Sequence, residues 1–342
     1  MRVAALVKRI LRQIVRDKRT IGLLIFAPML VLTMLYFVFE GGEYEPKIGL
    51  VSIPDMIEQQ LDTKGAKITN FNDEAAAKEQ LANQEIDAYL TFDGMSPSLI
   101  VEGSDPTVTG ATMRWFQNAL LNQPGKGMMP ELQVDYLHGS SDMGQFHYFG
   151  PVLLGFFVFF FVFLIAGVSF LRERTTGTLE RLLASPLRKW EIVAGYVIGF
   201  GLFTTIQSTL ITAYAIYVLD MVMEGAFVYV LLIILLLALT ALTLGILLSS
   251  FAHNELQMMQ FIPIVVVPQI FFSGLFNLET IAEWLSWISH VTPLYYAANA
   301  LRNVMVRGYG WGEIYLDLMA IGGFSLLFIA INIIALRKYR SM

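Results

Sequence analysis

The residues able to do chemistry in this chain are few and far apart. Four histidines, His138, His147, His253 and His290, share no helical face and form no HExxH pair, so no metal-hydrolase site is expected. Cysteine is absent, which excludes disulfides and thiolate metal ligation. Gly125-Lys126 has the glycine-lysine pair of a phosphate loop. It lacks the upstream glycine and the following Ser/Thr that let such a loop cradle a phosphate and its magnesium. No catalytic constellation is expected, and the chain does not read as an enzyme.

Polar side chains inside apolar stretches form a second group. Thr205, Ser208, Thr209 and Thr212 share one helical face within Ile192–Leu219, and Gln260 and Gln269 fall within Leu256–Phe276. Such residues either line a substrate path or hydrogen-bond between packed helices, and both readings stand. Gly195 and Gly199 form a GxxxG that permits close helix contact. Asp220, Glu224, Glu255 and Asp317 are placed at the ends of predicted spans. No ionisable group is then expected at mid-membrane, which weighs against a proton- or sodium-coupled carrier.

Charge is densest in Arg172–Glu191, RERTTGTLERLLASPLRKWE, between two long apolar runs. Thr178, Leu179, Leu182 and Leu183 fall at helical spacing with Arg174, Glu180, Arg181 and Arg188 around them, and Pro186 ends the pattern. The spacing predicts a short amphipathic helix at one membrane surface. It is either a solvated connection or a docking helix for a soluble partner. In the second case Glu173, Arg174, Glu180 and Arg181 pair with that partner and the leucines fill its groove.

The elements that must hold these residues follow from composition. Of 342 residues 56% are hydrophobic and mean hydropathy is +0.59, values of a membrane protein. Residues 1–19 read as a basic amphipathic helix in the membrane interface, with Val3, Leu6, Val7, Ile10, Leu11, Ile14 and Val15 on one stripe. The competing reading, a signal peptide, lacks a small-residue cleavage site. Six spans are predicted at Thr20–Phe39, Phe149–Leu171, Ile192–Leu219, Ala226–Phe251, Leu256–Phe276 and Tyr315–Leu336. Pro28 interrupts the first and Pro263 and Pro268 the fifth.

Residues 40–148 form a polar insert with the pattern of a small α/β domain. Strands are predicted at Lys47–Ile53, Ala66–Phe71, Ile86–Phe92 and Pro97–Gly103, and helices at Asp55–Thr63, Asp73–Asn83 and Thr107–Asn122. Segments 1–19, 172–191, 252–255 and 337–342 share one side and carry fifteen Lys/Arg against five Asp/Glu. That side is therefore the cytoplasm, with both termini, and the acidic insert lies outside. Segment 277–314, rich in aromatics and broken at Thr292-Pro293, reads as a helical hairpin that re-enters the outer leaflet. A helix lying flat on the surface is the alternative.

Two stretches resemble the permease subunit of ABC-2-type (type V) ABC exporters, in the branch with an extracytoplasmic domain between the first two spans. One is the charged segment, where Glu173, Gly177, Thr178, Glu180, Leu182, Pro186 and Glu191 match the family pattern. The other precedes the last span, where Ser273, Gly274, Trp284, Leu285, Pro293, Leu294, Tyr296, Leu301 and Arg302 match. The family often places proline between S-G and W-L, and Asn277–Glu283 has none.

The resemblance implies an α-helical membrane protein of the cell (plasma or inner) membrane, working as a homodimer or heterodimer with no nucleic-acid partner. ATP and magnesium are held by a separate cytoplasmic ATPase, and this chain binds no cofactor. Glu173, Gly177, Thr178, Leu179, Glu180, Leu183 and Pro186 would couple to that ATPase. Thr205, Ser208, Thr209, Thr212, Gln260 and Gln269 would border the path of a hydrophobic or amphiphilic cargo such as a drug, lipid or peptide. A ligand-binding receptor or sensor and an ion-coupled carrier are the other functional classes considered.

Overall fold

The computed structural model describes residues 2–40, 45–51, 65–83, 85–93, 96–102, 106–121, 145–275 and 287–338. The chain divides into two compact units, residues 41–135 and the remainder. The predicted helix 55–63 and the stretch 276–286 lie outside the described residues.

The smaller unit is a four-stranded sheet. β1 (Lys47–Val51) lies centrally, parallel to both β2 (Lys67–Phe71) and β3 (Ala88–Asp93), and β4 (Ser96–Val101) is antiparallel to β3. Two helices are described, α3 (Glu74–Ala82) and α4 (Pro106–Leu121). Period-two alternation divides the strands between them. Ile48, Leu50, Ala88 and Leu90 pack on Trp115 and Ala119 of α4, while Val51 and Tyr89 pack on Ala77 and Leu81 of α3. Asp73 is the N-cap of α3, its Oδ1 accepting from the Ala75 amide, as its sequence position predicts.

The larger unit is helical. α1 (Arg2–Arg16) and α2 (Lys18–Glu40) are followed by α5 (Gln145–Thr175), the short α6 (Thr178–Ala184), α7 (Lys189–Tyr217) and α8 (Phe227–Ser249). α9 (Glu255–Leu275) is a composite helix. Then come a 3-10 turn at Trp287–Val291, α10 (Pro293–Met305) and α11 (Trp311–Lys338). Among the described residues, six helices are long and apolar enough to cross a membrane: α2, α5, α7, α8, α9 and α11. The chain is an α-helical, multi-pass membrane protein with a small four-stranded sheet.

α5 and α8 form the centre, and glycine sets their approach. A Cβ on Gly245 would stand 2.6 Å from the Phe163 carbonyl oxygen, so only glycine fits where these helices touch. Polar side chains join α8 to α11 in the apolar interior. Thr240 Oγ1 and Ser325 Oγ are 2.6 Å apart, and Asn332 Nδ2 donates to the Thr243 carbonyl at 2.8 Å.

α2 passes through Pro28 without a break. Proline has no N–H, so the Leu24 carbonyl one turn earlier lacks its helical donor. Gln207 Nε2 of α7 supplies one at 2.9 Å. In hydrocarbon an unpaired carbonyl is costly, so this bond both heals α2 and fixes it to α7. Thr33 Oγ1 and Tyr214 Oη, 2.7 Å apart, add a second link.

Prolines act differently in α9. Pro263 lies in the first of two wide π-turns, Ile262–Val266, and Pro268 lies between it and the second, Phe271–Leu275, where Gly274 leaves helical geometry at φ +81°.

Candidate functional site

The charged segment between α5 and α7 contains the predicted short helix, tied into the bundle at both ends. Gly177 takes a left-handed φ of +73°, which turns the chain out of α5 with no Cβ penalty. α6 then makes two turns and ends at Ser185, before Pro186. Arg188 is the N-cap of α7, where the Glu191 carboxylate accepts from the Arg188 amide at 2.6 Å. Glu191 of the first motif is thus a helix-capping residue.

The last turn of α5 fixes this segment to the bundle. Successive helical residues point 100° apart, so Arg172, Glu173 and Arg174 reach three different neighbours. Arg172 Nε donates to Glu255 Oε1 at 2.8 Å, at the start of α9. Arg174 Nη1 donates to the Ser249 carbonyl, and to the Ala252 carbonyl at 3.1 Å, where α8 ends. Glu173 is 3% exposed; its Oε2 accepts from Arg9 Nη2 at 2.6 Å and from the Tyr196 hydroxyl at 2.9 Å. Arg9 belongs to α1 and Tyr196 to α7. At the far end of the segment, Arg2 Nη1 donates to the Pro186 carbonyl at 2.8 Å.

Partial burial works to lower the pKa of the Arg9 guanidinium. The Glu173 carboxylate and Tyr196 hydroxyl outweigh it and hold Arg9 above its ordinary value.

Two sequence expectations change here. Glu173 and Arg174 cannot extend to a partner as placed, because both are engaged inside the chain. Leu179, expected to fill a partner's groove, is buried in the bundle's own core, with Leu182 and Leu183 half-buried against it. What remains open on α6 is Glu180, Arg181 and Ala184, with Thr175, Thr176 and Pro186 beside them. Gly177 and Thr178 are half-buried, and Thr176 Oγ1 lies 3.1 Å from Thr178 Oγ1.

Gly195 and Gly199 have an unexpected occupant. They seat α1: side chains added there would collide with Leu6 and Ile10. The spacing of four residues on both helices was the signal that pairs them. Arg9 and Tyr196, the other two members of the buried polar group, carry no sequence motif of their own.

The six residues proposed for a cargo path do not share one surface. Ser208 and Thr212 are buried, and Thr212 Oγ1 donates back to the Ser208 carbonyl at 2.8 Å. Thr205 is exposed, and Thr209 Oγ1 bonds the Thr205 carbonyl at 2.8 Å. Gln260 is exposed on α9. Gln269, by contrast, is buried and its Oε1 accepts from the Leu294 amide at 3.2 Å. It therefore caps α10, in place of Thr292, whose side chain caps nothing.

The second motif closes on itself. Arg302 Nη2 of α10 donates to the Gly274 carbonyl at 2.5 Å, and its guanidinium carbon stands 5.4 Å above the Tyr148 ring. Burial pulls the Arg302 pKa below its ordinary value. The break at Thr292-Pro293 is where α10 begins, with Pro293 at its first position. Leu294, Ala297, Leu301 and Val304 are buried in the same core as α5 and α8, so α10 is packed within the bundle. The preceding arm of the predicted hairpin falls mostly in 276–286, outside the described residues. Asp317, placed at a span end by sequence, lies in the second turn of α11, buried, and accepts from Asn299 Nδ2 at 2.8 Å.

The charged connector is thus tied to four helices, α1, α7, α8 and α9, and among the described residues no group of three side chains could hold a metal ion. Residues 18–334 match the model of the ABC-2 family transporter proteins, and this chain belongs to that family, whose members are ABC transporter permeases. It is similar to ABC transporter G family member 20 of Dictyostelium discoideum, 26% identical over 98% of this chain and 50% of that protein. It also resembles two Escherichia coli proteins. The probable multidrug ABC transporter permease YbhR is 24% identical over 46% of this chain and 43% of its own length. The probable multidrug ABC transporter permease YbhS is 21% identical over 90% and 89%. The matches thus span half or less of the Dictyostelium protein and of YbhR, and most of YbhS.

Proposed function

We propose that this chain is the membrane subunit of an ATP-driven exporter, which moves a hydrophobic or amphiphilic cargo such as a drug, lipid or peptide out of the cytoplasm. ATP and magnesium belong to a separate cytoplasmic ATPase subunit. α6 is the coupling helix: Glu180, Arg181 and Pro186 meet the ATPase, while Leu179, Leu183, Gly177, Thr178 and Glu173 hold the helix in its place on the bundle. The observation that carries this reading is the fan of Arg172, Glu173 and Arg174 to α9, α1 with α7, and α8. A pull on α6 cannot stay local, because each link is a charged contact to another helix.

Two copies, identical or paired with a sibling, enclose the cargo path between them. Gln260, exposed on α9 of a single copy, suits that path, while Thr205 and Thr209 lie on the outward face of α7 with Ile198 and Leu202. The buried Ser208, Thr212 and Gln269 take helix-packing roles beside it. Both termini lie in the cytoplasm of a plasma or inner membrane, the sheet unit lies outside, and α10 is the returning arm of a re-entrant hairpin in the outer leaflet. The YbhR and YbhS names, which say multidrug permease of those proteins, agree with this choice of cargo.

The test is affinity purification of the full chain from its native host, followed by export of amphiphilic dyes. An ATPase subunit is expected to co-purify, and Glu180→Arg is expected to release it and to stop export. Unchanged export by Glu180→Arg, or efflux that stops when the ion gradient is collapsed while ATP persists, contradicts the proposal.

A further inference from the structure

α1 has a wider apolar sector than its seat on α7 uses. Counting around the helix, Leu6 and Ile10 form one row and are buried over Gly195 and Gly199. The next row, 100° further round, is Val3, Val7, Leu11 and Val15. These residues are only partly covered, and Val15 is 63% exposed. The row after that is Lys8, Arg12 and Arg16, all exposed and, among the described residues, with no carboxylate partner.

The second and third rows, with Ile198 of α7, line one open groove of about 870 Å³. From Ile198 an uncovered apolar track continues along α7 through Leu202, Ile206 and Leu210, four residues apart. That track is about 18 Å long at the helical rise. One leaflet of hydrocarbon is about 15 Å thick, half of a bilayer core.

The geometry points to a seat for one anionic phospholipid. An acyl chain lies along Ile198, Leu202, Ile206 and Leu210, its upper part covered by Val7 and Leu11. The phosphate and its anionic headgroup sit against Lys8, Arg12 and Arg16. Charge complementarity selects the occupant. A soluble partner would have to cover the membrane-facing track on α7, and a zwitterionic lipid leaves the three cations uncompensated. The seat couples membrane composition to the site described above, because Arg9, on the same helix, holds Glu173. The inference needs only that α7 spans the membrane, and stands apart from the direction of transport and from the cargo.

Native mass spectrometry of the full-length protein, with any subunits that accompany it, tests the seat. The probes are dioleoyl phosphatidylglycerol and dioleoyl phosphatidylcholine, added at equal concentration. The wild type is expected to retain phosphatidylglycerol roughly tenfold better, the scale of a few cation contacts to an anionic surface. Lys8→Gln/Arg12→Gln/Arg16→Gln is expected to erase that preference without moving the melting temperature, since none of the three has an ion-pair partner among the described residues. Leu202→Gln/Ile206→Gln is expected to weaken retention of both lipids and leave the preference intact. Equal retention of the two lipids by the wild type overturns the inference, as does a preference that survives the triple substitution. Protection of the groove by a protein subunit in place of lipid, seen as crosslinks from Arg12→Cys to that subunit, overturns it as well.

Discussion

Arg9 and Glu173 meet at 2.6 Å across 164 positions of sequence, and their contact fixes α1 to the end of α5. Glu173 is almost fully enclosed, while Arg9 keeps about a third of its side chain exposed at 35%. Removing the arginine leaves a carboxylate without its counter-charge, and removing the carboxylate leaves Tyr196 without its acceptor.

Arg9→Met is therefore expected to cost about 2–3 kcal/mol, the low end for a buried pair because water reaches the arginine. Glu173→Gln is expected to cost less, since the amide still accepts from Tyr196. The double variant should be more stable than the sum of the two losses implies. Thermal unfolding of the four proteins in nanodiscs gives the cycle; strict additivity would mean that the two side chains do not interact.

Gln207 and Pro28 allow a rescue experiment. Gln207→Leu removes the donor to the Leu24 carbonyl and is expected to cost about 0.5–1.5 kcal/mol, the range for such bonds between membrane helices. Pro28→Ala restores the helical N–H to that same carbonyl. The double variant Pro28→Ala/Gln207→Leu should recover most of the loss. A double variant no better than Gln207→Leu alone would show that the glutamine acts otherwise.

Leu179 and Glu180 are neighbours with opposite surroundings. Leu179→Ala should lower stability by about 2–4 kcal/mol, the usual cost of emptying a packed site. Glu180→Arg changes an exposed side chain and should leave the melting temperature unchanged while export falls. Paired melting curves and dye-efflux assays separate the two roles.

Gly274 holds a left-handed turn directly under Arg302, and a Cβ there would stand 3.2 Å from Arg302 Nη1. Gly274→Ala should cost about 1–2 kcal/mol from backbone strain alone. Arg302→Lys should be more damaging than its retained charge suggests, because an ammonium replaces the fork that reaches the Gly274 carbonyl. Yield and melting temperature of both variants report this.

The spans were legible because twenty apolar residues have few other solutions, and the sheet because its alternation fits a two-faced core. The charged connector was legible from its charge density, Pro186 and the leucine spacing. The direction its charges face was not. Whether Glu173 points outward or toward Arg9 depends on a contact 164 residues away, and no local pattern encodes it. The hydroxyl face of α7 left both readings open for a related reason. Threonine in a helix satisfies its own hydroxyl on the preceding turn, as Thr209 and Thr212 do, so hydroxyl periodicity alone does not mark a path. Gln269 as a cap for α10 needed the packing of two helices that sequence places apart.

The most direct measurement uses the absence of native cysteine. Ala184→Cys, on the exposed side of α6, and Glu79→Cys, on the sheet unit, are each expressed in intact cells and treated with a membrane-impermeant maleimide. The account predicts that the Glu79 variant is labelled at once, while the Ala184 variant reacts only after the membrane is permeabilised. Labelling of the Ala184 variant in intact cells would put α6 outside, beyond the reach of any cytoplasmic ATPase, and would contradict the coupling role.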